Sequence, residues 1–218
     1  MNYAERHQAG RVLADLLREY ANRSDVIVLA LPRGGVPVAY EIAVRLSLPL
    51  DVFIVRKLGV PGHEEFAMGA IAAGDVAVFN ESVVNDLHIK KMVIDHVLEI
   101  EQEELMRREF IYRGNKPSLR FKGKTIILVD DGIATGYSMR AAILSLRRKK
   151  PADIIVAVPV AARATCEELA DLVKRVICPL QPANFYAVGL WYDDFTQTTD
   201  DEVIHLMNSI KSPPNLAK

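Results

Sequence analysis

The chain has 218 residues, of which 50% are hydrophobic and 25% are charged, as in globular proteins that bury a proper core. A formal net charge of −1 gives no reason to expect non-specific binding to nucleic acid or to a membrane. Cys166 and Cys178 are too few for a disulfide framework and lack the spacing of metal ligands. The polar N-terminus has no apolar signal core and no segment reaches the length of a membrane span, so we expect a cytoplasmic protein.

The first predicted elements are a helix over residues 3–20 and a buried strand over the continuous apolar run 26–31. The turn Pro32-Arg33-Gly34-Gly35 follows, and a second helical pattern comes after it. Glycines between a strand and a helix let backbone N–H groups approach an anion, and Arg33 adds a full positive charge. The turn therefore indicates an anion site, and a plain turn with an exposed arginine is the alternative.

The next strand is predicted over residues 51–55, with Arg56 and Lys57 at its end. Residues 58–69 contain several glycines and a proline, which predicts a loop over at least part of that segment.

A hairpin is predicted from two short strands, residues 67–73 and 76–79, and a long helix from the apolar spacing of residues 89–111. Its charged residues form pairs of opposite sign four positions apart, so its charge indicates a solvated face.

The central stretch, residues 125–139, begins with a buried strand that ends in Asp130 and Asp131. A loop of small residues and a helix follow, which is the layout of a phosphate site. Two carboxylates repel a phosphate but accept hydrogen bonds from neighbouring hydroxyls, so the implied ligand is a sugar phosphate. An incidental acidic pair in an ordinary turn is the alternative. The predicted phosphate contacts are Gly132, Ile133, Ala134, Thr135, Gly136 and Ser138.

Beyond this stretch, strands are predicted over residues 153–158, 175–178 and 186–191, with a helix over 163–173 and a closing helix over 200–210. The alternation of strands and helices predicts an α/β fold: a mostly parallel twisted sheet with helices on both faces. Ligands of such sheets bind at the carboxyl ends of strands. We expect the turn 32–35, the Arg56-Lys57 pair and the acidic pair to meet there.

The segment VDDGIATG resembles the signature that binds phosphoribosyl pyrophosphate (PRPP) in type I phosphoribosyltransferases: apolar residues, two acids, three variable residues, then Thr-Gly. The turn 32–35 resembles the family loop that holds pyrophosphate and often contains a non-proline cis peptide. The segment after Lys57 resembles the flexible loop that closes over PRPP. The resemblance implies one domain, residues 1–218, with a helical insertion at about 80–116 and a small C-terminal hood at about 180–210.

The family reaction displaces pyrophosphate from PRPP by a nitrogen nucleophile. The resemblance implies that Asp130 and Asp131 hold the ribose hydroxyls and favour the cationic sugar of the transition state. Arg33, Arg56 and Lys57 would stabilise the leaving pyrophosphate, together with the backbone of Gly34 and Gly35 and with Mg²⁺ held mainly by PRPP oxygens.

The resemblance extends to the acceptor site only in part. Tyr192 and Asp193 resemble the segment that stacks on and reads a purine base, but Ala162 stands where oxopurine enzymes place a lysine. Ala134 also stands where some relatives carry an acid that is a candidate general base. Either the acceptor needs no base or another residue serves; the candidates are His63, Glu64 and Asp193.

The residues therefore leave three readings of function. The first is a phosphoribosyltransferase that acts on PRPP and a small nitrogenous acceptor, possible as a homodimer by family analogy. The second is a protein that senses PRPP or a nucleotide on the same fold without turnover. The third is a sugar-phosphate or nucleotide hydrolase on a similar sheet, which no metal-ligand cluster or nucleophile–base pair in the sequence supports.

Overall fold

The computed structural model describes residues 2–114 and 119–210, with the side chains of residues 64 and 65 outside that description. The end of the predicted insertion, residues 115 and 116, lies outside it as well. The helices are α1 (Arg6–Leu16), α2 (Gly35–Leu46), α3 (Glu81–Asp86), α4 (Lys91–Arg113), α5 (Tyr137–Arg148), α6 (Arg163–Ala170) and α7 (Asp200–Ser209). The strands are β1 (Val26–Ala30), β2 (Leu50–Val52), β3 (Val55–Val60), β4 (His63–Ala72), β5 (Val76–Phe79), β6 (Thr125–Val129), β7 (Asp153–Ala157) and β8 (Arg175–Ile177).

A parallel sheet of five strands forms the centre of the fold, in the order β2-β1-β6-β7-β8. From β1 the chain continues to β2 on one side and later returns to β6 on the other, so the strand order reverses between β1 and β6. Ligands of open parallel sheets bind at such a reversal, outside the carboxyl ends of the strands. The turn 32–35 follows β1 and the loop 130–136 follows β6, so the topology places the two predicted motifs side by side.

Helices cover both faces of this sheet, which confirms the predicted fold class. Every residue of β1 and β6 is buried, as their continuous apolar sequences predict. Side chains alternate between the faces, so Val28 packs with α1 and α2 while Leu29 packs with α5 and α6. The buried apolar residues thus form one layer on each side of the sheet.

A second, antiparallel sheet, β3-β4-β5, corrects two predictions. Residues 58–69 are mostly strand, and Arg56 and Lys57 lie within β3 instead of at the carboxyl edge of the parallel sheet. The glycines have other roles: Gly62, with φ of 78°, forms the tight turn between β3 and β4. A Cβ on Gly69 would lie 2.3 Å from the carbonyl oxygen of Val78, so this glycine permits close pairing with β5.

The predicted strand over residues 186–191 is wrong, because Val188–Trp191 forms a short 3₁₀-helix. Within residues 2–114 and 119–210 the segment pairs with no strand of either sheet. It is tied to the N-terminus, where Tyr3 N donates to Trp191 O at 2.9 Å. Its side chains do not alternate in burial either, since the neighbours Tyr186 and Ala187 are both exposed and the next two residues, Val188 and Gly189, are both half-buried. The segment is anchored by a small apolar cluster that includes Tyr192 and Phe195.

The predicted long helix and closing helix are confirmed as α4 and α7. The side chain of Thr199 accepts a hydrogen bond from Glu202 N at the start of α7, as a helix cap does. Among the described helices, none is both long enough and apolar enough to cross a membrane.

Candidate active site

The loop between β6 and α5 is anchored to its neighbours by its backbone. Ile133 is buried, and its N–H donates to the carbonyl oxygen of Val160 at 2.9 Å. The hydroxyl of Thr165, on α6, donates to the carbonyl oxygen of Ala134 at 3.1 Å. Gly136 precedes the first residue of α5 with φ of 79°, a left-handed conformation that glycine favours. The loop therefore lies, fixed in place, at the N-terminus of a helix of 12 residues.

The side chains of this loop leave its outer surface open. Ala134 and Thr135 are exposed, and Ser138 is half-buried in the first turn of α5. Gly132 is buried, and a Cβ added there would lie 2.5 Å from a methyl group of Val188. Small or hydroxyl side chains in front of a helix N-terminus suit a bound anion, because backbone N–H groups and the helix dipole both favour negative charge.

The two acidic residues occupy the entrance of the loop and differ in their partners. Asp130 Oδ1 accepts a hydrogen bond from Asp131 N at 2.8 Å. Asp131 Oδ2 accepts one from Arg6 Nε at 2.8 Å, and its side chain is 15% exposed. The hydroxyl of Tyr192 donates to the carbonyl oxygen of Asp131 at 2.6 Å. The pair is thus held at the rim of the fold by residues from both ends of the chain.

Burial and mutual repulsion set the protonation of the pair. Burial raises the pKa of Asp130 well above its usual value, and the charge of Asp131 raises it further. Burial also raises the pKa of Asp131, while the Arg6 guanidinium opposes that rise. Hydrogen-bonding hydroxyls and a developing positive charge would both favour the ionised pair, so this site gains from a polyhydroxyl ligand with cationic character.

The turn 32–35 packs directly against the acids. A Cβ on Gly34 would lie 2.0 Å from Asp131 Oδ2, and one on Gly35 would lie 2.8 Å from the carbonyl oxygen of Val129. Only residues without a side chain fit these positions, since backbone and carboxylate already fill the space. The peptide between Pro32 and Arg33 is cis, the conformation often found in the loop that this turn resembles. The two predicted motifs therefore form one continuous surface.

A cavity of about 430 Å³ opens beside this surface. Arg33 lies on its wall, with its Nη1 3.5 Å from Asp200 Oδ1 at the start of α7. Residues from several other elements complete the lining: Arg6, Gly34, Arg108, Asp131, Val188, Phe195, Gln197 and Thr198.

Two predicted cations lie on the second sheet. Arg56 Nε donates to Glu101 Oε2 on α4 at 2.7 Å, and both side chains are at least three-quarters buried. Lys57 is exposed on β3. Neither residue lines the cavity beside Gly34 in the described part of the chain. A contact of either residue with PRPP stays a prediction.

The residues predicted to read the acceptor take different positions. The Tyr192 ring is buried, with its centre 5.0 Å from that of Phe195 and 5.6 Å from that of Tyr3. It lies among aromatic rings beneath the acids, so it has no open face for a planar base. Asp193 is exposed, and its backbone N–H donates to the carbonyl oxygen of Tyr3 at 2.8 Å.

The candidate general bases come from two parts of the chain. His63 is exposed at the start of β4, Asp193 is exposed near the C-terminal segment, and the side chain of Glu64 lies outside the described residues. Ala162 precedes α6 and gives no side-chain cap, and Arg163 beside it is exposed.

Sequence reasoning missed two arginines that the fold brings to the cavity. Arg6 begins α1 and Arg108 lies in α4, so both are outside the two motifs. In the sequence each stands among other charged residues of a helix. No local pattern distinguishes either arginine from a solvated one, so only the tertiary arrangement shows that both line the cavity.

Comparison with known proteins agrees with this geometry. Residues 2–194 match the family model of the phosphoribosyl transferase domain, and the chain belongs to that family. Two Mycobacterium tuberculosis proteins, MT0597 and Rv0571c, whose names place them provisionally among the phosphoribosyl transferases, are 41% identical over 206 residues, or 94% of this chain. The chain spans about half the length of these relatives, 46% in each case.

Solved structures show the same fold. TT1426 from Thermus thermophilus is 37% identical with a TM-score of 0.77, and the match covers 95% of this chain and 98% of that one. AQ2163 from Aquifex aeolicus, at 9% identity, has a TM-score of 0.52, with 84% of this chain and 78% of that chain covered; it resembles this chain in fold alone.

Proposed function

We propose that this chain transfers the phosphoribosyl group of PRPP to a nitrogen of a small acceptor, with Mg²⁺, and releases pyrophosphate. Membership of the phosphoribosyl transferase domain family supports the class of reaction. The observation that carries the proposal is the packing of the turn 32–35 against the acids, with a Cβ on Gly34 only 2.0 Å from Asp131 Oδ2. A sugar held by the acids would then have its leaving group next to the turn.

The 5′-phosphate would bind in the loop 132–136. Its backbone N–H groups and the N-terminus of α5 favour an anion, and the hydroxyls of Thr135 and Ser138 can donate hydrogen bonds. The bonds from Ile133 and to Ala134 hold the loop in position before the ligand arrives. A fixed anchor for the phosphate positions the anomeric carbon for attack.

The ribose would lie on Asp130 and Asp131, whose carboxylates accept hydrogen bonds from its hydroxyls. In the reaction the bond between the anomeric carbon and the pyrophosphate oxygen breaks, and a bond to the acceptor nitrogen forms. Positive charge develops on the sugar ring meanwhile, and two nearby carboxylates stabilise it. The acceptor nitrogen loses its proton to a base or to water.

The pyrophosphate would lie against Gly34 and Gly35, with Arg33 as a cation on the cavity wall. In the described residues there is no group of three or more histidine, cysteine or acidic side chains that could hold a metal. Mg²⁺ keeps several waters and binds through few carboxylates plus substrate phosphates, so the acids at this site suit it as partial ligands. Bound Mg²⁺ would neutralise charge on the leaving pyrophosphate.

The acceptor pocket is proposed only as a class: a small molecule with a nucleophilic nitrogen. Because Tyr192 is buried, we do not assign it to stacking on a base, and it acts instead through its bond to the carbonyl oxygen of Asp131. Asp193 is exposed and stays a candidate for contact with the acceptor.

The test is pyrophosphate release by the purified chain with PRPP and Mg²⁺, across a panel of purine, pyrimidine and pyridine acceptors. Release that depends on one acceptor is expected. Tight PRPP binding without such release would favour the sensing protein. If the chain binds neither PRPP nor ribose 5-phosphate, the proposed site is wrong. The double variant Asp130→Asn with Asp131→Asn should fold and lose PRPP binding, and unchanged affinity would contradict the assignment of the acids.

A further inference from the structure

The cavity beside Gly34 and Asp131 is lined by three arginines from three separate elements. Arg6 begins α1, Arg33 belongs to the turn after β1, and Arg108 lies on α4. The volume of about 430 Å³ falls in the range of small-molecule sites. We call these three residues the arginine cluster. Its member on α4 comes from the helical insertion, to which the family resemblance assigns no role in the chemistry.

Carboxylates hold Arg33 and Arg108 from outside the cavity. Arg108 Nε donates to Glu104 Oε1 at 2.7 Å, and Arg33 Nη1 lies 3.5 Å from Asp200 Oδ1. In the described part of the chain, neither Glu104 nor Asp200 is among the residues that line the cavity. A guanidinium has five N–H donors, so a single carboxylate partner leaves donors for a second anion.

The surroundings of Arg108 strengthen its attraction for an anion. Its side chain is 20% exposed and that of Arg33 is 27% exposed, so both charges lie at a partly desolvated wall. Charges in such positions interact more strongly than charges in bulk water. Arginine also matches the geometry of phosphate groups, since its planar fork donates two parallel hydrogen bonds.

Two of the three cations that the sequence predicted for the pyrophosphate lie on the second sheet. Arg56 is bound to Glu101, and neither Arg56 nor Lys57 lines the cavity in the described residues. A leaving pyrophosphate carries several negative charges and needs cations that are in place before reaction. We propose that Arg108 of the helical insertion binds the pyrophosphate of PRPP together with Arg33. This inference rests on the proposed function and extends it to α4.

The test compares Arg108→Gln with Arg107→Gln. Arg107 is the neighbouring residue and also binds Glu104, with Nε 2.6 Å from Oε2, but its side chain is 54% exposed and does not line the cavity. Calorimetric titrations of the full chain with PRPP, with pyrophosphate and with ribose 5-phosphate, each with Mg²⁺, measure the three affinities. Ribose 5-phosphate reports on the phosphate and sugar sites without a leaving group.

For Arg108→Gln we expect PRPP and pyrophosphate to bind on the order of tenfold more weakly, the usual effect of losing a charged hydrogen bond. The affinity for ribose 5-phosphate should stay unchanged, and Arg107→Gln should resemble the unsubstituted chain with all three ligands. Arg108→Lys, which keeps the charge and loses the fork, should give an intermediate loss and serves if the glutamine variant fails to fold.

Two results would overturn the inference alone. One is that Arg108→Gln binds PRPP as tightly as the unsubstituted chain does. The other is that Arg108→Gln loses as much affinity for ribose 5-phosphate as for PRPP. If the unsubstituted chain binds neither PRPP nor ribose 5-phosphate, the proposed function fails and this inference fails with it.

Discussion

Arg6 Nε donates to Asp131 Oδ2 at 2.8 Å across 125 positions of sequence. The same guanidinium donates to the carbonyl oxygen of Thr196 at 2.7 Å and lies 3.9 Å from the centre of the Phe195 ring. One side chain thus connects the N-terminal helix, an acid of the proposed sugar site and the C-terminal segment. Since its side chain is only 10% exposed, this ion pair is shielded from the screening that weakens pairs at the surface.

The first prediction concerns the charge of Asp131. Burial raises the pKa of Asp131 and Arg6 opposes that rise, so Arg6→Gln should raise this pKa further. If the ionised carboxylate holds the ribose, the pH below which the chain no longer binds ribose 5-phosphate should be higher in this variant. Calorimetric titrations of ribose 5-phosphate over a series of pH values measure the shift.

Arg11→Gln is the control for that experiment. Arg11 lies on the same helix, 41% exposed, and pairs with Glu5 and Glu41. Its replacement should leave the pH profile of ribose 5-phosphate binding in place. Identical profiles for Arg6→Gln and the unsubstituted chain would show that the ion pair does not control ionisation of Asp131.

The second prediction concerns stability. The pKa of Asp130 is raised in the folded protein, by burial and then by Asp131, so the folded state binds a proton more tightly than the unfolded state. The free energy of unfolding therefore falls as pH rises from the ordinary aspartate pKa through the raised one. Asp130→Asn removes this loss. At neutral pH it should raise Tm, while PRPP binding disappears.

The control is Asp25→Asn, at the amino end of β1, where the hydrogen bond from Arg23 lowers the pKa of the carboxyl. A carboxyl whose pKa is lowered by folding stabilises the folded protein at neutral pH. Asp25→Asn should therefore give no gain in Tm at neutral pH, and PRPP binding should persist. Thermal melts at several pH values distinguish the two variants. A fall in Tm for Asp130→Asn at neutral pH would contradict the assigned direction of its pKa.

The third prediction uses the close approach of the two motifs. Gly34→Ala places a Cβ on Asp131 Oδ2, a carboxylate that Arg6 holds, so the acid or the turn must move. We expect a loss of about 1–3 kcal/mol in the free energy of unfolding, the usual cost of overpacking. PRPP affinity should fall beyond measurement, because both motifs are displaced.

Gly69→Ala creates a comparable clash elsewhere, 2.3 Å from the carbonyl oxygen of Val78 in the second sheet. It should lower Tm in the same way and leave PRPP affinity of the folded protein intact. Equal PRPP affinities in the two folded variants would show that the approach of Gly34 to Asp131 does not matter for binding.

Sequence reasoning located the two motifs because each depends on local rules. A continuous apolar strand, glycines at its end and a following helix together specify the conformation of the turn 32–35 and of the loop 130–136. The reversal of strand order between β1 and β6 then brings the motifs together. The central fold was predictable for the same reason.

The remaining parts depend on contacts between distant segments. The glycines of residues 58–69 suggested a loop, but they serve a tight turn and a close pairing of strands. The pattern of residues 186–191 suggested a strand, but the segment pairs with no strand among the described residues and is anchored to the N-terminus through Tyr3. Arg6 and Arg108 reach the cavity through helix packing, which leaves no trace in local sequence.

The last prediction tests the role of Tyr192 in supporting the acids. Its hydroxyl donates to the carbonyl oxygen of Asp131 at 2.6 Å, and burial raises its pKa, so the hydroxyl stays protonated and remains a donor at neutral pH. Tyr192→Phe keeps the ring and removes that bond, which should cost about 1 kcal/mol of stability. It should also weaken PRPP binding, since Asp131 loses one of its restraints.

Tyr3→Phe is the matched control. The hydroxyl of Tyr3 donates to the carbonyl oxygen of Pro159 at 3.0 Å, so removing that bond should cost similar stability and leave PRPP affinity unchanged. Full PRPP affinity in Tyr192→Phe, measured by calorimetry, would contradict the supporting role.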